Sequence, residues 1–153
     1  MLWHVVSRTR SARLIDRVVV ATTTNPADDP VAVFCRQHDI DCFRGSEEDV
    51  LDRFYQAAKK YDADPVVRVT GDCPMIDPEI FDKVIAKYLE GGYDYATNVL
   101  ELTYPDGLDL EMFSFAALER AWRETTEPRY REHVGSFIRY SGLFSIANVE
   151  NDV

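Results

Sequence analysis

Two kinds of apolar run alternate along this chain. Arg17-Val18-Val19-Val20-Ala21-Thr22 and Val66-Val67-Arg68-Val69-Thr70 are short and nearly continuous, the pattern of strands covered on both faces. Between such runs the apolar positions recur at helical spacing. Residues 2–13 read as a helix with Leu2, Val5, Val6 and Thr9 on one side. After the strand at 17–22, Asp29-Pro30 supplies an N-cap and a first-position proline for a helix to about 38. A short strand at 40–44 leads through Gly45-Ser46 into a third helix, where Ser46 and Asp49 have capping-box spacing. Val50, Leu51, Phe54, Tyr55, Ala58 and Tyr61 form its apolar face. A strand at 65–70 precedes a fourth helix opened by Asp77-Pro78, striped by Ile80, Phe81, Val84, Ile85, Tyr88 and Leu89, and stopped by Gly91-Gly92. The later pattern predicts strands at 93–99 and 107–113 around an irregular loop, and a helix capped by Ser114 that breaks near Pro128. A helix at 130–140 and a strand at 143–149 follow.

Strands alternating with helices at this spacing predict βαβ units, a mostly parallel sheet and one α/β domain over residues 1–153. Composition agrees: 46% hydrophobic and 12% aromatic residues make a packed core. Trp3, Phe81, Tyr88, Tyr93 and Tyr95 are expected to pack within it. No run approaches the length of a membrane span. Cys35, Cys42 and Cys73 form no CxxC pair, which suits reduced thiols in a cytoplasm and makes zinc an unpromising ligand. A net charge of −10 argues against a nucleic-acid binder. It leaves open a nucleotide, held by a few local cations, backbone N–H groups and a divalent ion.

Candidate chemistry gathers at strand ends, because ligands of an open parallel sheet bind outside the carboxyl ends of its strands. Gly71-Asp72 terminates the run 66–70. Asp72 either holds a hard cation bridging phosphate oxygens or only caps its loop. Thr22 and Thr23 end another strand, as nucleotide contacts or as plain termination. Gly45 permits a tight turn or a close ligand approach. Arg53 points either back to the crevice or out to solvent, paired with Glu48 or Asp49. Asp106, Asp109 and Glu111 alternate, so Asp109 and Glu111 share one face. They suit sugar hydroxyls, a second metal contact, or mere solubility. His133 is either a proton shuttle or a structural hydrogen-bonding group.

Several stretches, in order, resemble the cytidylyltransferase family: Leu2-Trp3-His4-Val5-Val6, Val18-Val19-Val20-Ala21-Thr22-Thr23, Phe43-Arg44-Gly45-Ser46, Thr70-Gly71-Asp72-Cys73-Pro74, Tyr104-Pro105-Asp106-Gly107-Leu108-Asp109-Leu110-Glu111 and Arg131-Glu132-His133-Val134. The likeness is to the spore coat polysaccharide branch, with the acylneuraminate and 3-deoxy-manno-octulosonate enzymes more distant. The resemblance runs from Leu2 to about Asp152. It implies a Rossmann-like, three-layer nucleotide-diphospho-sugar transferase fold. It also implies transfer of CMP from CTP to a sugar or sugar acid with loss of pyrophosphate. Asp72 would be the magnesium-binding aspartate, Thr22, Thr23, Gly45, Arg53 and Gly71 would meet the nucleotide, and Asp109 and Glu111 the sugar. A homodimer is a further expectation.

Three departures qualify the resemblance. The family carries a first strand and a glycine-rich loop with Arg and Lys ahead of the segment matched by Leu2-Trp3-His4, whereas the first glycine of these residues is Gly45. It continues toward a second acid beyond the region 148–152, and Gly135-Ser136-Phe137 replaces a Thr-Pro-Tyr type of sequence. The sequence therefore reads as a member shortened at both ends, inactive alone. The alternative is a non-catalytic nucleotide-sugar-binding or scaffold domain.

Overall fold

The computed structural model describes residues 1–151. Three layers result, with two sheets in the middle layer. In the smaller sheet β1 (Val19–Thr23) pairs in parallel with β2 (Asp41–Gly45). The larger has the order β3 (Val66–Arg68), β5 (Glu111–Phe113), β4 (Tyr95–Thr97), β6 (Ile146–Asn148). β4 and β6 are parallel, while β5 is antiparallel to both neighbours, so β3, β4 and β6 share one direction. No pairing joins β1 to β3 among the described residues.

Side-chain alternation sorts the core. Ala96, Met112, Ala147 and Val67 face α4 (Pro78–Leu89), which contributes Ile80, Phe81, Val84 and Ile85. Tyr95, Phe113, Val66 and Ile146 face the opposite way, against α3 (Val50–Lys60), α5 (Phe115–Glu124) and α7 (Ser136–Tyr140). Around the smaller sheet, α1 (Leu2–Ser11) and α2 (Asp29–Gln37) pack Val6, Cys35 and Ile40 against Val18, Val20 and Cys42. Along β1 and β3 most residues are only half-buried, whereas every residue of β4 and β5 is buried.

Caps explain most element starts. Asp77 accepts the Glu79 N–H at 2.8 Å, and Ser114 that of Ala117 at 3.0 Å. Gly91 and Gly92 end α4 at φ 92° and 84°, a left-handed backbone suited to glycine. Several expectations shift. Asp29 is the first residue of α2 rather than its cap, after a 3₁₀ turn at Pro26–Asp28. The N-cap residue Asp28 makes no cap bond because Thr22 and Thr23 occupy its carboxylate. Asp49 caps α3 through the Asp52 N–H, while Ser46 takes the N–H of Asp49. The expected helix 130–140 splits into α6 (Pro128–Glu132) and α7, where Val134 turns into the core and Gly135 packs on Glu111. β4 and β5 stop short because the side chain of Asn98 bonds Leu108 O and Leu110 N–H in place of a backbone ladder. Trp3 is 45% exposed, tilted against His38, not in the core.

Candidate functional site

The β3–β5 register sets Arg68 opposite Glu111, and the β4–β5 register sets Thr97 on its other side. An arginine inside an apolar strand needs a buried acid, since an unpaired charge there is costly. Glu111 meets that need with Oε2 on Arg68 Nη1 at 2.5 Å. Its Oε1 accepts the Tyr95 hydroxyl at 2.6 Å and Arg139 Nη2 at 2.7 Å. Burial pushes the Glu111 carboxyl up, but Arg68, the Tyr95 hydroxyl and Arg139 outweigh it and hold it below its ordinary value. Burial, then the neighbouring Glu111, raises the Tyr95 phenol.

This cluster forms one wall of a cavity of about 380 Å³. The ends of β3 and β4 contribute Arg68, Val69, Thr70 and Val99, and the start of β5 contributes Asp109 and Glu111. The α6–α7 joint adds His133, Gly135, Ser136 and Arg139. Gly135 is required by contact: a Cβ there would lie 2.1 Å from Glu111 Oε1. Asp109 is raised by burial, then by Asp106 and Glu111, with Arg139 opposing. Exposed Asp106 lies on the loop before it.

Asp72 lies exposed just beyond β3, two residues past Thr70 on the cavity wall. The Thr70 hydroxyl, then its own backbone N–H, hold its carboxyl below the usual range. Among the described residues, no three His, Cys, Asp or Glu side chains gather as a metal site. One ionised carboxylate at a strand end fits a magnesium ion that takes its other ligands from phosphate oxygens and water. Gly71 adjoins Leu2.

The remaining expected nucleotide residues form a second group at the ends of β1 and β2. The hydroxyls of Thr22 and Thr23 donate to Asp28 Oδ2 at 2.8 and 2.6 Å, with the Thr23 N–H at 3.1 Å. A Cβ on Gly45 would press on Phe43 at 2.9 Å and Arg53 at 3.0 Å. Arg53 does not pair with Glu48 or Asp49: it donates to Ser46 O at 2.7 Å, and its buried Nε has no partner among the described residues. Burial lowers its pKa, and it feels Asp28, Arg68 and Glu47. Arg53 thus stands between the Thr22–Thr23 group and the cavity.

Arg68, Arg139, Tyr95 and Gly135 were not foreseen. The one legible signal was Arg68 itself, a cation within an apolar run. The Arg131-Glu132-His133 motif divides. Arg131 clamps Asp49 at 2.6 Å and the carbonyls of Trp122 and Thr125, tying α6 to the start of α3, while exposed His133 lines the cavity.

The cytidylyltransferase profile matches residues 1–145. The chain belongs to the cytidylyltransferase family. An uncharacterized protein of Methanocaldococcus jannaschii is 39% identical over 146 residues, 95% of this chain and 59% of its own. The spore coat polysaccharide biosynthesis protein SpsF of Bacillus subtilis is 36% identical over 137 residues, 88% of this chain and 56% of its own. The chain thus spans under two thirds of these two relatives. A cytidylyltransferase structure from Leptospira borgpetersenii superposes with a TM-score of 0.92 at 30% identity, over 99% of this chain and 65% of that one. This cytidylyltransferase chain therefore shares the family's α/β architecture throughout its described residues.

Proposed function

We propose that the chain carries the substrate-binding half of a cytidylyltransferase that moves CMP from CTP to a sugar or sugar acid, releasing pyrophosphate, in cytoplasmic surface-polysaccharide synthesis. The observation that supports it is the cavity beyond β3, lined by Arg68, Arg139 and Asp109, with Asp72 two residues past Thr70 of its wall and within reach of the Arg68 charge. Asp72 would hold magnesium, which when bound offsets charge on the phosphates. Gly45, Arg53, Gly71 and the Thr22–Thr23 turn would receive the nucleotide, with Arg53 supplying cationic charge. Asp109 would accept hydrogen bonds from sugar hydroxyls and orient the attacking oxygen toward the α-phosphorus, so catalysis is mostly positioning and charge stabilisation.

A second reading, a non-catalytic nucleotide-sugar-binding module, draws on the absence of glycine from residues 1–44. Pyrophosphate release from CTP, tested with sugar acids and amino sugars, separates the two when residues 1–153 are preceded by the family's strand and glycine loop. Turnover that needs magnesium and is lost in Asp72→Asn, with the fold intact, supports transfer. CTP binding with no pyrophosphate from any acceptor supports the module.

A further inference from the structure

Both carboxylate oxygens of Glu111 are engaged. Oε2 is held by Arg68, and Oε1 takes both the Tyr95 hydroxyl and Arg139. The packed Gly135 backbone closes the remaining approach to Oε1. Arg139 gives Nε and Nη2 to Tyr95 and Glu111 and also interacts with the Tyr140 hydroxyl. Arg68 gives Nη1 to Glu111, and its buried Nε has no partner among the described residues. Both side chains are over four-fifths buried and line the same cavity.

We propose that Glu111 is a positioning residue that fixes Arg68 and Arg139 as a paired site for an oxyanion, carboxylate or phosphoryl, on the bound substrate. The proposal rests on the reading of this cavity as a substrate site. A guanidinium already held by a buried carboxylate at the cavity wall is pre-oriented, so little ordering remains when an anion arrives. Tyr95 is fully buried and does not line the cavity, so it acts only through Glu111 and Arg139.

Tyr95→Phe is the first test, because it removes one hydroxyl without changing charge. Glu111→Asp is the second: it keeps the charge and shortens its reach by one methylene. Arginine Nε–H resonances read the order of Arg68 and Arg139. Titrations with inorganic phosphate, glucuronate and glucose read the site and distinguish phosphoryl from carboxylate. In the unaltered chain an anion should bind and glucose should not. Tyr95→Phe should weaken the anion about fivefold, the worth of one ordinary hydrogen bond, and broaden the Arg139 signal. Glu111→Asp should do at least as much. Should Tyr95→Phe fail to fold, Glu111→Asp alone decides. Anion affinity and arginine signals unmoved by either folded variant overturn the positioning role. Glucose binding by the unaltered chain that Glu111→Asp weakens, with arginine signals intact, makes Glu111 a ligand and overturns it too. No anion binding by the unaltered chain overturns the site. The Asp72 reading survives any of these if magnesium-dependent CTP shifts appear at residues 71–73.

Discussion

Glu111 and Asp109, two residues apart, titrate in opposite directions and should affect stability oppositely. Glu111 lies below its ordinary value of 4.5 in the fold, so as pH falls the unfolded chain takes that proton first. Its contribution is complete above about pH 4.5 and is lost as pH falls through the folded value. Asp109 is raised above 3.8, so its ionisation opposes folding at neutral pH. Asp109→Asn should therefore raise the melting temperature at pH 7, an advantage that disappears below about pH 3.8. An equal gain at pH 3 would contradict the assignment. Glu111→Ala should cost about 3–5 kcal/mol, since it leaves two buried arginines unpaired. Gly135→Ala should cost about 1–3 kcal/mol by overpacking against the pinned carboxylate. Denaturant midpoints check both. Of this chemistry the parity of Asp109 and Glu111, and Arg68 as a cation within an apolar run, are legible in the sequence. The pairing of Glu111 with Arg68 depends on a strand register between residues 43 positions apart, which no local pattern specifies.

At the scale of elements, helix faces and caps were readable because they are local. Val5 and Val6 of α1, Leu51 and Tyr55 of α3, and Phe81 and Val84 of α4 lie buried as their spacing predicts. Strand limits and the α6–α7 break were not, because Asn98, Val134 and Gly135 answer to distant neighbours. The open edges of β1 and β3 carry a consequence of their own. Among the described residues each has one partner strand, and α3 joins the two sheets by packing on both β1–β2 and α5. Half-buried valines along an unpaired edge invite strand addition. Residues 1–153 alone should bind a hydrophobic dye and self-associate in sedimentation velocity. A monomer silent to the dye, with one cooperative unfolding transition, would contradict this.

For the whole molecule, two groups of residues meet around Arg53: Thr22, Thr23 and Gly45 on one side, Asp72 and the Arg68–Glu111–Arg139 wall on the other. Residues 1–153 by themselves hold only part of a triphosphate site, with no glycine-rich cradle of backbone N–H groups. They should bind CTP weakly and release no measurable pyrophosphate, because each missing preorganised donor costs about a hundred- to a thousandfold in rate. Weak binding can still be mapped. The most direct measurement is the amide nitrogen–proton spectrum titrated with CTP and magnesium, in the unaltered chain and in Asp72→Asn. Magnesium-dependent shifts are expected at Gly45, Arg53, Gly71 and Asp72, lost in the variant while the rest of the spectrum is unchanged. Shifts confined to Arg17 and Asp41 at the opposite ends of the strands, or shifts at the cavity that Asp72→Asn leaves intact, would contradict this.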